Sequence, residues 1–392
     1  MNNGGARDMK HTSVLALASF FATAFGTSHG AAMAATSANA LANGISVRNI
    51  GAIQHTIMNH TIGTFEGTMS AALGTRGKLI DNVTPVNRPT PRARGDSAKM
   101  YGRMPEYGTP AMYGEYGDDG TVLRGRSGGD DITTIRPTIN NVWMNWQHVA
   151  DDASFNDFAT VDSDYDLVTI GLAGGDAQFG NGISDWGLFA GYVGGTQKND
   201  LIDINENGGY VGVYSGYTIG GLNLSVVANG GALFNTVAAT RTMRGHDYAN
   251  AWVGAATNVT YNIELDPTFT LQPGVYGGYT WVQSANYTMG DDTYIENQNM
   301  NLFEIAPGAR AIKNLGDGWF GFIGGKYVFH FAHGGDANVM GARLAELDFD
   351  NYSEYGIGIE KSIDRFNMSI NLGRRDGGRT GWTWGTSLKY IF

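Results

Sequence analysis

Cysteine is absent from the 392-residue sequence, which removes disulfide scaffolds, thiolate metal centres and cysteine nucleophiles together. Proline is scarce, at 9 residues, and the 58 glycines follow no collagen-like triplet period. Basic residues are outnumbered: 26 Lys and Arg face 37 Asp and Glu, for a formal net charge of −11 and a pI near 5.1. Such a balance argues against nucleic acid as a partner, because that ligand wants a basic surface. Beyond the N-terminal region no uninterrupted apolar run reaches about 18 residues, which argues against a helical membrane protein. The same test says nothing against a membrane β-barrel, whose alternating strands average to mild hydropathy; the mean hydropathy is −0.21.

Glycine and aromatic residues (11% Phe, Trp and Tyr) dominate instead, and point to many turns or to closely packed sheets. At the N-terminus Arg7 and Lys10 precede an apolar stretch from Ser13 to Phe25, followed by the small-residue exit Ala32-Met33-Ala34. Basic flank, short apolar core and small-residue exit predict a secretory signal over residues 1–34, cleaved after Ala34. Translation could equally start at Met9, and either way the mature chain leaves the cytoplasm. A cysteine-free chain also suits passage through an oxidising compartment.

From Ile45 the residues Ile50, Ile53, Ile57, Ile62 and Phe65 recur at helical spacing, opposite Arg48, Asn49, Gln54, His55, Asn59 and His60. This predicts one amphipathic helix over 45–72. His55 and His60 are five apart, which does not align two metal ligands on one helical face, so both read as solvated or luminal. Over 74–136 periodicity gives way to Pro, Gly, Tyr and mixed charge, the composition of a linker. It contains Arg94-Gly95-Asp96, a tripeptide common by chance and carrying little expectation of adhesion.

From Val142 the pattern switches to period two. Phe366, Met368, Ile370 and Leu372 alternate with Asn367, Ser369, Asn371 and Gly373; Trp382, Trp384, Thr386, Leu388, Tyr390 and Phe392 alternate with Thr383, Gly385, Ser387 and Lys389. Turn signals such as 218–222, 265–269, 314–319 and 362–366 alternate with longer polar stretches at 196–207, 288–299 and 333–351. Counting runs predicts twelve strands, most longer than the five or six residues usual in soluble sheets. The fold class expected is all-β: a twelve-stranded antiparallel transmembrane barrel, with the amphipathic helix as a candidate for its lumen. Apolar faces would meet lipid and Gly- and Asn-rich faces the lumen. Trp186, Trp281, Trp319, Tyr355 and Trp382 near strand ends are the expected membrane-interface aromatics. Arg310, Lys326, Glu360 and Arg374 are the candidate lumen charges.

The segments Asn141–Phe155, Tyr165–Lys198, Gly208–Asn235 and Ser387–Phe392 resemble, in order, strands of the autotransporter translocator domain of type V secretion. The resemblance covers roughly 141–392. It implies an outer-membrane barrel with a helix threading its pore, which exports or displays an N-terminal passenger. The implied domains are a signal peptide at 1–34, a short passenger, helix and linker at 35–140, and the barrel at 141–392. In outer-membrane barrels a terminal aromatic resembles an assembly signal, here Leu388, Tyr390 and Phe392. The implied partners are the barrel-assembly machinery, periplasmic chaperones and outer-membrane lipid, for a monomer. No cofactor, metal or enzymatic activity is expected. Asn140-Asn141 lacks the surroundings of self-cleaving members, and His330, His333 and Asp336 lack the partners of a hydrolase. The competing expectation is a stand-alone porin- or adhesin-type barrel.

Overall fold

The computed structural model describes residues 50–59, 61, 139–155, 159–179, 182–199, 203–238, 245–288, 294–295, 297–334, 338–339, 342–343 and 350–392. The expected signal peptide with Ala34, the linker with its Arg-Gly-Asp tripeptide, Asp336 and the outer portions of the expected helix lie outside these residues.

Twelve long strands form the barrel: β1 (Ile139–Phe155), β2 (Ala159–Phe179), β3 (Gly182–Lys198), β4 (Asp203–Ile219), β5 (Leu222–Val237), β6 (His246–Tyr261), β7 (Phe269–Ser284), β8 (Asn299–Gly316), β9 (Trp319–Gly334), β10 (Tyr352–Ile363), β11 (Phe366–Gly377) and β12 (Arg379–Ile391). Each pairs antiparallel with the next, and β1 pairs with β12 from Asn141↔Ile391 to Ala153↔Arg379, so the ring is closed. Closure leaves no row of unpaired backbone groups, which hydrocarbon would not tolerate. A short piece, Ile263–Asp266, prolongs β6 along the base of β7.

Connections differ sharply between the two ends. One end carries tight turns, including 220–221, 317–318 and 364–365; the other carries the longer connections 238–245, 285–298 and 335–351. Asp317 and Gly318 both have positive φ, at 49° and 76°, the paired left-handed conformation that matches the twist of a two-residue hairpin. At the 262–268 connection, Asp266 accepts hydrogen bonds from the Thr268 hydroxyl (2.6 Å) and amide (2.7 Å). Those bonds hold its carboxyl below the ordinary range.

Period two sorts the side chains into two solvents. Along β4, Val211 and Val213 are exposed outward, while Tyr210, Glu206 and Ile204 are buried inward. Along β11, Met368, Ile370 and Leu372 are outward and Asn367 and Arg375 inward. Apolar residues therefore lie on the outside of the ring and polar ones inside, the reverse of a soluble barrel. The strands also run past their apolar stripes. β2 begins at Ala159, and its outward positions Asp162, Asp164 and Asp166 precede Val168, Ile170 and Leu172.

Candidate functional site

The lumen is the candidate site, because a helix sits in it. Residues 50–59 are helical, and from Ile50 to Met58 every one is buried. Burial all round means that protein encloses the helix on both its apolar and its polar faces. Ile50, Ile53, Ile57 and Met58 join one buried cluster with Met300, Leu302, Trp252 and Val227 of the barrel wall.

The polar face needs partners, since a buried polar group left unpaired costs about 1–3 kcal/mol. His55 Nδ1 lies 2.8 Å from Glu304 Oε2 on β8, and its Nε2 lies 3.8 Å from Glu354 Oε2 on β10. Its ring meets Tyr276 edge-on, with centroids 5.1 Å apart. Thr56 Oγ1 donates to the Ala52 carbonyl (2.9 Å) and accepts from Arg375 Nη2 on β11 (3.1 Å). Tyr276 OH donates to Met58 Sδ at 3.6 Å.

These contacts belong to an ionic arc that continues around the wall. Lys326 on β9 lies 3.4 Å from Glu354, and Arg375 Nε donates to Glu354 at 3.2 Å. Arg375 also binds Asp151 of β1 at 2.8 Å, and Arg379 of β12 grips the same carboxylate through two nitrogens. Asp151 and Glu354 thus face Lys326, Arg375 and Arg379, while Glu304 pairs with His55 and stands 4.0 Å from His330. The Asp151 contacts cross the seam at which the first and last strands meet.

The direction of the helix follows from its neighbours. Gly51 packs against Met300 and Leu302, close to the longer-connection end of β8. Thr56 and Asn59 open onto a cavity of about 350 Å³ that reaches Thr260 and Gln272, beside the 262–268 connection at the tight-turn end. The helix therefore runs, N-terminus first, from the longer-connection end toward the tight-turn end.

Of the candidate lumen charges, Arg310, Lys326 and Glu360 line this cavity. The Arg310 guanidinium stands 5.6 Å from the Phe322 ring centre, and Lys326 Nζ 5.6 Å from that of Tyr276. Arg374 is different: it lies on the outside, 5.0 Å over the Trp382 ring and 3.1 Å from Asp376. It continues the outward stripe of Met368, Ile370 and Leu372, so strict alternation makes its neighbour Arg375 the luminal one. The expected interface aromatics all lie on the outer face, Trp186 and Trp319 near the tight-turn end and Trp281, Tyr355 and Trp382 toward the other. Leu388, Tyr390 and Phe392 share the outer stripe of β12; Phe392 donates its amide to the Asn140 carbonyl at 2.9 Å.

Sequence reasoning missed Asp151, Glu304, Glu354, Arg375 and Arg379. Glu304 and Arg375 were visible in principle, as charges at inward positions between outward Phe303 and Ile305, or beside outward Arg374. His330 Nε2 stands 4.0 Å from Glu304, inside the same arc. Among the described residues no group of three His, Cys, Asp or Glu is placed to hold a metal ion.

A family model, the autotransporter beta-domain, matches residues 142–385. No curated protein matches the sequence. Among solved structures, the chain is similar to the beta domain of the Bordetella autotransporter BrkA (TM-score 0.54, 16% identity, covering 65% of this chain and 100% of that one). It is similar also to the transport unit of the autotransporter AIDA-I from Escherichia coli (TM-score 0.53, 17% identity, 67% and 93%). A third likeness is to the translocator domain of the autotransporter NalP from Neisseria meningitidis (TM-score 0.52, 10% identity, 66% and 90%).

Proposed function

Because the chain belongs to the autotransporter beta-domain family, we propose that its outer-membrane barrel exports the polypeptide ahead of the luminal helix and then anchors it. The observation that carries this reading is the seated helix and its direction. Outer-membrane barrels place short turns in the periplasm and longer loops outside. With that orientation the helix enters the lumen from the cell surface, so the residues leading into Ile50 approach from outside.

The arc of charges then has a purpose. A helix held only by apolar packing would be slow to leave or enter a water-filled pore, whereas His55 and Thr56 present groups that water can also satisfy. The ionic contacts select one depth and one rotation for the helix once the chain has passed, and the helix blocks the middle of the pore. A porin-type barrel would need that space open. The export step would draw on folding and binding of the chain itself. Insertion would rely on the barrel-assembly machinery, and delivery on periplasmic chaperones, with the barrel acting as a monomer.

The test places an epitope ahead of Ile50 in the full chain and probes intact cells with antibody, alongside single-channel recordings of the purified barrel. Surface labelling together with a small conductance is the expected result. An epitope reached only after the outer membrane is opened, combined with a wide steady pore, would make the protein a porin.

A further inference from the structure

The helix and the first strand meet the barrel from the same end. At Thr61 the chain is still helical and enclosed: its hydroxyl donates to the Ile57 carbonyl at 2.9 Å, and the residue is 3% exposed. The helix runs toward the tight turns, so the polypeptide leaves Thr61 in that direction. β1 starts at that end too. Ile139 faces Gly174, near the 180–181 turn; Asn141 faces Ile391, and the Asn140 carbonyl accepts from the Phe392 amide. Residues 62–138 are therefore tied at both ends to the tight-turn mouth of the barrel.

For any part of 62–138 to reach the opposite side, the chain would have to cross the membrane twice more, out and back. The lumen offers no room for that at the depth of the helix. Gly51 packs against Leu302 of β8, and Gln54 and Met58 close on Gly254 of β6. Thr56 Oγ1 stands 3.3 Å from Tyr165 OH of β2 and 3.1 Å from Arg375 Nη2 of β11. These contacts reach the wall on several sides, and an extended strand with its side chains is about 10 Å thick. The bilayer offers no route either. A helical crossing needs about 20 predominantly apolar residues, whereas 62–138 sets Arg88, Arg92, Arg94, Lys99 and Arg103 among prolines and glycines. A strand crossing needs a sheet edge, and the β1–β12 pairing leaves none.

We propose that residues 62–138 stay in the periplasm, so that the exported polypeptide ends at the luminal helix and the linker hangs behind the barrel. The proposal rests on the export reading above and adds the boundary at which export stops. It removes Arg94-Gly95-Asp96 from any contact with another cell, because that tripeptide then faces the periplasm. It also says what fixes the depth of the helix. A helix joined directly to β1 would be held by its connection, whereas 62–138 is far longer than the gap between Thr61 and β1. Depth then falls to the contacts of His55 with Glu304 and of Thr56 with Arg375.

The test uses the full chain, whose lack of cysteine lets single cysteines report their side of the membrane. Ser97→Cys and Ser127→Cys probe the stretch, Ser37→Cys probes the chain ahead of the helix, and Asp291→Cys in the 285–298 connection marks the outside. Each is treated with a membrane-impermeant maleimide on intact cells, after the outer membrane is opened, and in urea. Ser37→Cys and Asp291→Cys should react on intact cells, and Ser97→Cys and Ser127→Cys only once the membrane is opened, with labelling rising at least several-fold. Reaction of Ser97→Cys or Ser127→Cys on intact cells, beside a reactive Ser37→Cys, overturns the boundary and leaves export intact. Either cysteine reacting in urea alone would lie inside protein, which overturns the boundary as well. A Ser37→Cys shielded on intact cells beside a reactive Asp291→Cys removes the export reading, and the boundary with it.

Discussion

Arg374 and Arg375 are adjacent in sequence and lie in different solvents, one over Trp382 on the outside, the other buried against Asp151 and Glu354. Their costs differ accordingly. Arg374 keeps water within reach, and its pair with Asp376 is of the exposed kind that contributes about 0–1 kcal/mol. Arg375 and Arg379 share Asp151, and removing that one carboxylate leaves two cations without their common counter-ion. Breaking a buried pair in this way costs about 3–5 kcal/mol. Asp151→Asn should therefore lower the temperature at which the barrel loses its heat-modifiable gel mobility, while Asp376→Asn leaves it nearly unchanged. At Gly254 the constraint is shape: a side chain there would run into Gln54 and Met58 of the helix. Gly254→Leu should displace the helix without opening the ring, seen as raised single-channel conductance from a barrel of unaltered gel mobility. A conductance equal to that of the parent would mean that the helix tolerates the intrusion.

At the scale of elements, period two is what made the strands legible. Phe366, Met368, Ile370 and Leu372 predicted the outer stripe of β11, and the same count carried on to residue 375 identifies the luminal arginine. The strand ends were less legible. The loop expected at 196–207 narrows to the few residues between β3 and β4, and β2 starts at Ala159, ahead of Tyr165 where the resembling segment begins. Alternation of hydrophobicity reports only the part of a strand that touches lipid, and Asp162, Asp164 and Asp166 belong to a ladder that continues beyond it. The helix was legible from Ile50, Ile53 and Ile57, but its polar face reads in sequence as solvated or luminal without naming a partner. What buries His55 is Glu304, 249 positions away, and no local pattern reports a partner at that range. The two faces of β11 give a direct contrast. Ile370, 61% exposed on the outer face, becomes about 2–4 kcal/mol less stable as Ile370→Arg near the bilayer midplane. Asn371→Arg, one residue on and facing the lumen, should change stability little; denaturant unfolding in lipid vesicles measures both.

For the whole molecule the decisive event is closure, and two devices converge on the β1–β12 seam. Toward the longer-connection end the Asp151–Arg375–Arg379 contacts tie the strands from inside. At the other end the last residue completes the ladder: Phe392 donates to Asn140, its ring stands edge-on to Tyr390 with centroids 5.5 Å apart, and Tyr390 packs against Phe366 at 4.9 Å. Phe392 is 60% exposed on the outer face, a placement that suits the two roles expected of it, a girdle contact in lipid and an aromatic assembly signal before insertion. These roles separate experimentally. If the ring served the girdle alone, deleting Phe392 and changing Phe366→Leu would each remove one lipid-facing aromatic from the same corner and lower the folded population alike. An assembly signal read at the chain end is lost only in the deletion. Deleting Phe392 is therefore expected to reduce heat-modifiable barrel in the outer membrane several-fold relative to Phe366→Leu, with the missing protein recovered as unfolded periplasmic chain. Equal outer-membrane levels of the two variants would confine Phe392 to the girdle and leave closure to the ionic contacts at Asp151.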